Sequence, residues 1–548
     1  MILIVIALGF ITISYPNNNN LTSLPSQFSP PASRLKTNPT DLSHLVFGLL
    51  ASEKAWPNRK SYIESWWRPN YTRGFLLLDK PPGPKLVPWP ETSPPYRVSD
   101  DLTKLLNKTN IRAQRMVHGI MEVLRELELV DDKEDGFRWV VMGDDDSIFF
   151  VDNMVDVLSN YDHERYYYLG GNSESIVSNY LFSFDQAFGG GGIILSRKLA
   201  KALARDMESC LKRYVFLNSA DNTTRACIAD IGANLSPNKG NHQVDLRGDI
   251  SGLLSSHPLS PLLSLHHFDK VGPIFPNMDR HLSTRHLMKA AGAGQSRLLQ
   301  QTICHNRLTN WTFSVSWGYS AYIYENIFSR SYLQTPIETF RPWLADPKPP
   351  FYLFNTRPRS RDPCVAPHVF FFESVAQGPH EVLTSYSRAW PRGMPACSST
   401  GNRSADYVQR IQVFSPAVKR TQFRATEKSS SNSEKGREWS PVQNKKSKTQ
   451  QFTELGLGEP GSKESSTLHG PASEKEERQE IRAEHGTCPN KEGLGGVLPR
   501  GGAKFERVGS RAKEEGLGGL AGGEVGRVEK GGEIWGEGSM SGSFPLLM

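Results

Sequence analysis

Short apolar runs alternate with amphipathic stretches over the first third of the chain. "LSHLVFGLLAS", "GFLLLD" and "FRWVVMG" have the length and composition of buried strands. "RKSYIESWW" reads as a helix between the first two. Residues 112 to 130 set Met116, Val117, Ile120, Leu124 and Leu127 on one face, the mark of an amphipathic helix. "DNMVDVLSNY" predicts another helix, and "RYYYLGG" a fourth strand. "KPPGPKLVPWPETSPP" is a loop, because proline fixes the backbone and removes donors. Strands alternating with helices predict an α/β fold with a mostly parallel central sheet flanked by helices. In such sheets ligands bind beyond the carboxyl ends of the strands.

At one such end the polar pattern is unusual. "VVMGDDDSIFF" sets Asp144, Asp145 and Asp146 between two apolar runs. Burying like charges costs several kcal/mol unless something pairs with them. Successive residues of an extended segment face opposite ways, so Asp144 and Asp146 share a side. Two carboxylates on one side form a hard oxygen site suited to Mg²⁺ or Mn²⁺, and such an ion grips a diphosphate. The bland alternative is a solvated acidic turn. Further on, "FGGGGIILS" holds Gly189 to Gly192, which let backbone approach a ligand or form a flexible turn. Ser196 follows as an N-cap for a helix to about Met207. Trp66, Trp67, Trp317 and Tyr319 are read as core rather than sugar-stacking surfaces. Arg112 and Arg115 begin the helix before the acid strand, where they face either solvent or a phosphate.

Composition divides the chain. Its 548 residues are 38% apolar. Residues 421–548 are rich in Ser, Lys, Glu and Gly and read as a disordered low-complexity tail. Residues 16–40 read as a stem or linker, and residues 41–415 as the folded domain. The net charge of +7 is small and forms no basic stripe, so nucleic acid is not an expected partner. Residues 1–15, "MILIVIALGFITISY", read as a signal anchor or signal-like segment, with a buried strand as the alternative. Asn-x-Ser/Thr sequons at Asn20, Asn70, Asn107, Asn222, Asn234, Asn310 and Asn402 agree with a secretory route. Cys210, Cys227, Cys304, Cys364, Cys397 and Cys488 lack zinc spacing, and an oxidising lumen would pair some of them.

"RWVVMGDDDSIFFVDNMVDVLSNYDHERYYYLGGNSES", "AFGGGGIILS", "HQVDLRGDISGLLSSHPLSPLLSLHHFDKVGPIFP" and "SVSWGYS" together resemble the plant fringe-like glycosyltransferases, which carry a domain of unknown function. The resemblance runs from about His44 to about Val413. It implies a GT-A-like nucleotide-sugar-binding fold and a single-pass type II Golgi membrane protein with a lumenal catalytic domain. It also implies inverting transfer of a hexose from a UDP-sugar (galactose, N-acetylglucosamine or glucose) to a glycan or glycoprotein acceptor, with Mn²⁺ as cofactor. The implied metal ligands are Asp146 and Asp144, completed by His266 or His267. The expected donor site holds Asp144, Asp145, Gly190, Gly191 and Arg112.

An inverting transferase needs a base for the acceptor hydroxyl. The resembling enzymes carry an acidic pair in the segment matching "NSADNTTRACIADIG", which here reads Asp221-Asn222. Asp221 is the expected base, with Asp230 as a substitute. If the second position is the essential one, a catalytically silent relative results. A metal-dependent phosphohydrolase using the same acids is a third possibility, but no second His/Asp array supports it.

Overall fold

The computed structural model describes residues 39–130, 136–344, 348–417 and 480–484. The expected N-terminal anchor, the stem up to residue 38 and nearly all of the tail, Cys488 included, lie outside the described residues. Among the described residues no helix is long and apolar enough to cross a membrane. The chain divides into a unit of residues 1–491, described below, and residues 492–548, which lie outside the described set.

The strands of the first half are β1 (Leu45–Ala51), β2 (Arg73–Leu78), β3 (Tyr96–Val98), β4 (Trp139–Asp144), β5 (Ile148–Phe149), β6 (Tyr168–Gly170), β7 (Ile193–Ser196), β8 (Leu235–Pro237), β9 (Asn241–His242), β10 (Leu246–Gly248) and β11 (Ser264–Leu265). Seven of them form a mixed sheet in the order β3-β2-β1-β4-β7-β6-β8. Four of its neighbour pairs are parallel; β7 runs antiparallel to both β4 and β6. Side chains alternate along β1. Leu45, Phe47 and Leu49 join one apolar cluster with Trp66, Phe149 and Trp317, while Val46 joins another with Val117, Ile120 and Leu203. The sheet is therefore covered on both faces, which is why its strands read as continuous apolar runs.

The amphipathic helix Arg112–Val130 covers the second cluster, with Met116, Val117, Ile120, Leu124 and Leu127 buried. Its buried Arg115 donates to the carbonyls of Ala51 (2.9 Å) and Leu77 (3.3 Å). These are carbonyls at the ends of β1 and β2, so Arg115 is a structural pin and its neighbour Arg112 stands over the carboxyl edge of the sheet. Ser196 caps the helix Arg197–Arg205 by accepting from the Leu199 N–H.

The second half was not legible as a sheet. β12 (Gln301–Asn306), β13 (Trp311–Ser316), β14 (Ser320–Tyr324), β15 (Phe340–Pro342), β16 (His368–Gln377), β17 (Glu381–Arg388), β18 (Arg410–Pro416) and β19 (Glu480–Glu484) follow. All but β15 form a second seven-stranded sheet, antiparallel from β12 to β18 with β19 added in parallel. β13 is buried along its whole length, yet half of it is Ser or Thr. Those hydroxyls are satisfied internally: Thr312 donates to the Asn326 carbonyl, Ser316 to the Leu254 carbonyl, and Ser314 accepts from Gln301. Trp317 and Tyr319 are fully buried, and Trp66 and Trp67 nearly so, as core residues.

Candidate functional site

The three acids occupy the turn between β4 and β5. Leu50 of β1 stands in register with Asp144, so the triplet begins at the carboxyl end of the central strand. The turn is tight: the Ser147 N–H donates to the Asp144 carbonyl, and the Ser147 hydroxyl accepts from the Asp144 N–H and donates to the Gly190 carbonyl. β11 pairs antiparallel with β5, Leu265 opposite Ile148. The residue after β11 is His266, and the residues before β5 are the acids, so the pairing brings them face to face. His266 Nε2 lies 3.1 Å from Asp146 Oδ1 and 3.8 Å from Asp144 Oδ2.

A second partner was not anticipated. Arg59, on the helix Trp56–Glu64, places Nη1 at 2.7 Å from Asp145 Oδ1 and 3.4 Å from Asp146 Oδ1. Its Nη2 donates to Asp269 Oδ2 at 2.7 Å. The buried triplet is thus compensated inside the protein before any ligand is added. Burial opposes the charge of Asp146, but His266 and Arg59 together hold its carboxyl far below the ordinary range. Burial pushes Asp145 up to about 6 despite Arg59. Burial also raises Asp144, against the pull of His266. Burial works against a charged His266, yet Asp146 and Asp144 push it up to about 9.

His266 and His267 lie side by side, ring centroids 3.8 Å apart, but their ring nitrogens meet different carboxylates. His267 adopts a left-handed backbone (φ 58°). Its Nδ1 lies 2.8 Å from Asp245 Oδ1, and its ring stacks on Trp343, centroids 4.6 Å apart at 14°. Burial and the neighbouring His266 hold it below its ordinary pKa. The ligand atoms that converge, all within 4.8 Å of one another, belong to Asp144, Asp146 and His266. Asp146 Oδ2 and His266 Nδ1 are buried without a hydrogen-bond partner. Two carboxylates, one imidazole and an orphaned carboxylate oxygen make a donor set that fits a divalent ion such as Mn²⁺. Two other groups, Glu174–His242–His257 and Asp100–His118–Glu122, also bring ligand atoms together, but neither lines the cleft beside the acids. In the latter, Arg125 already bonds Asp100.

That cleft has a volume of about 380 Å³, and Arg112, Asp144, Gly190, Asp221, His266 and His267 all line it. Asp145 and Asp146 are buried and do not line it. Of the glycine run, Gly190 lines it. A Cβ on Gly190 would lie 2.0 Å from His266 Cε1, and one on Gly189 2.7 Å from Asp221 Oδ1. The Gly189 N–H donates to that same Asp221 oxygen at 2.9 Å. Gly191 does not line the cleft; its N–H donates to Gln243 and its carbonyl accepts from Asn241 and Ser264. Close packing, rather than a flexible turn, accounts for the glycines.

Asp221 sits in the first turn of the helix Ala220–Asp230, where Ser219 is the N-cap. Burial pushes its carboxyl up to about 7, with Asp144 and Asp245 adding to the effect and the Gly189 N–H opposing it. Asn222 does not line the cleft. Its N–H donates to Ser219 Oγ, and its side-chain oxygen accepts weakly from Arg225 at 3.5 Å. The structure does not bring Asp230 to the cleft: at the far end of the helix, it accepts from Arg213 Nε (3.0 Å) and the Tyr214 hydroxyl (2.8 Å). Cys227 on this helix is disulfide-bonded to Cys210, and Cys364 to Cys397.

Residues 102–229 match the family described as Fringe-like, and residues 178–431 match the family described as protein of unknown function, DUF604. The first match spans Arg112, the acid triplet, Gly190 and Asp221; the second spans Gly190, Asp221, His266 and His267. No curated protein matches the chain.

Proposed function

The chain belongs to the fringe-like glycosyltransferase family, and from that premise we propose that it is an inverting, Mn²⁺-dependent transferase. It moves a hexose from a UDP-sugar to a hydroxyl of a glycan or glycoprotein, in a β-1,3-type linkage. The observation that carries this proposal is the convergence of Asp144, Asp146 and His266, two of which, Asp144 and His266, line the same cleft as Asp221.

Asp144, Asp146 and His266 would hold the ion, which when bound supplies positive charge against a departing diphosphate. Arg112, on the cleft lining, adds a second positive charge for the donor phosphates. Asp221 accepts the proton of the acceptor hydroxyl as that oxygen attacks the anomeric carbon, and the electron pair of the breaking C–O bond leaves with UDP. Its hydrogen bond from Gly189 fixes one carboxylate oxygen and leaves the other for the proton. Asp145, buried and bound to Arg59, supports the turn rather than touching the donor. The proposal extends to the Golgi lumen, with the N-terminal apolar run as membrane anchor. The two disulfides are in keeping with an oxidising compartment.

The test is UDP release from a panel of UDP-sugars, with and without Mn²⁺, for the wild-type protein and Asp146→Ala. Mn²⁺-dependent release that the variant loses is the expected result. Binding of UDP and Mn²⁺ without release from any donor would instead indicate a silent relative. Failure to bind UDP would remove the donor site itself.

A further inference from the structure

The second sheet carries a groove that this transfer does not use. Its volume is about 440 Å³, and Arg388, Trp390, Met394, Asp406 and Gln409 are among its lining. Trp390 is 51% exposed. Its ring packs against Phe371 with centroids 5.9 Å apart, so the indole is propped from within while half of it meets water. Such a propped, half-open indole beside a groove offers a flat face on which a ligand can stack.

The support is rigid for definite reasons. Arg392, two residues on, has a buried side chain that donates to Glu325 and to the carbonyls of Pro363 and Pro395. Glu325, 4% exposed, also accepts from the N–H groups of Cys397 and Ala405 and from His368. The Cys364–Cys397 disulfide closes the same region. Arg388 is likewise committed: it donates to the Val408 and Ala405 carbonyls and faces His368 Nδ1 at 3.1 Å. A preformed wall of this kind loses little conformational freedom when it binds.

The polar chemistry narrows the occupant. Each of the three guanidinium nitrogens of Arg388 already bonds within the protein, so this cation is not directed at a phosphate or carboxylate in the groove. Asp406 is half exposed; Ser404 donates to one of its oxygens, and the other lies 3.5 Å from His368 Nδ1. Gln409 adds an exposed carboxamide. A flat indole beside a carboxylate and an amide suits a neutral pyranose, whose C–H face packs on the ring while its hydroxyls donate and accept at the edge. An anionic ligand would meet Asp406, and a purely apolar one would offer neither polar group a hydrogen bond in place of water.

We propose that this groove is a second sugar-binding site, which holds a neutral pyranose of a glycan outside the catalytic cleft.

Saturation-transfer NMR tests it on the full chain, with methyl β-glycosides of galactose, glucose and N-acetylglucosamine as probes. All samples carry Asn402→Gln, because a glycan at that neighbouring sequon could fill the groove in cis. The expected result is transfer to ring protons of at least one probe, equal with and without Asp146→Ala, and absent in Trp390→Ala at unchanged melting temperature. Asp406→Asn should weaken the same probe about tenfold, the cost of replacing a charged acceptor. Transfer that survives Trp390→Ala, or no transfer from any probe, overturns the proposal. A signal lost in Asp146→Ala but kept in Trp390→Ala assigns the sugar to the catalytic cleft and overturns it equally.

Discussion

Gly190 lies directly against the imidazole of His266, so closely that an added Cβ would stand 2.0 Å from its Cε1. The histidine is fixed from two sides, by Asp146 in front and by bare backbone behind. Gly190→Ala should therefore push His266 out of line. We expect apparent Mn²⁺ affinity and transfer to fall by about 10–100-fold, as when a ligand loses its support. Gly292→Ala is the control. It lies in the helix Arg280–Gly294 with nothing within 4 Å of an added Cβ, so it should stabilise by about 0.5–1 kcal/mol. Mn²⁺ titrations of UDP release and thermal melts separate the two outcomes.

Arg59→Met leaves Asp145 without its ion-pair partner and takes one partner from Asp146 and Asp269, which keep His266 and Lys270. Leaving buried carboxylates unpaired typically costs about 3–5 kcal/mol. Arg59 retains 24% side-chain exposure, so the lower end, about 3 kcal/mol, is expected. Arg59→Lys should recover only part of it, because one ammonium cannot reach both Asp145 and Asp269. Denaturant unfolding in the presence of a chelator measures this without interference from bound metal.

Asp221 must be ionised to take a proton. Its carboxyl is pushed up to about 7, so transfer should rise with pH to a limb near neutrality and level off above it. A cation bound beside Asp144 would draw that limb downward. Asp221→Asn should lower kcat by about 10²–10⁴-fold and abolish the limb, whereas Asp230→Asn should change neither. The pH profile of kcat for the three proteins decides it.

The helix bearing Asp221 is tied to Cys210 by a disulfide that spans 17 residues. Loop closure of that length is worth about 3 kcal/mol. Replacing both cysteines with serine should lower stability by about that amount while leaving measurable transfer below the melting range. Paired melting and activity curves check both statements.

The alternation of β1, β2, β4 and β6 with helices was plain in the sequence, because each strand is buried on both faces. The acid turn and the glycine run stood out for the same reason, as polar or featureless breaks between apolar stretches. Arg59 was silent: one arginine on a short helix gives no sign that it will bridge to Asp145 and Asp269. His266 could not be told from His267, because the choice rests on the left-handed backbone of His267 and on Trp343, both tertiary facts. The second sheet was hidden because Thr312, Ser314 and Ser316 are buried hydroxyls in a strand that composition reads as half polar. Asp221 and Asn222 are separated by the roughly 100° between successive helix residues, which carries the acid to the cleft and the amide away from it.

The pairing of β5 with β11 has a consequence for how the protein matures. Asp146 and His266 are 120 residues apart, and this two-residue ladder sets them opposite one another. Such distant contacts form late, after the loop between them has been closed. Before that moment the nascent chain carries only an acidic turn, with no imidazole to complete it. An ion that needs both can bind only a chain whose two halves have met, and it then holds that state by mass action. Cation supply would thus favour finished molecules over unfinished ones during synthesis, making the site a checkpoint of folding before it is ever a tool of chemistry.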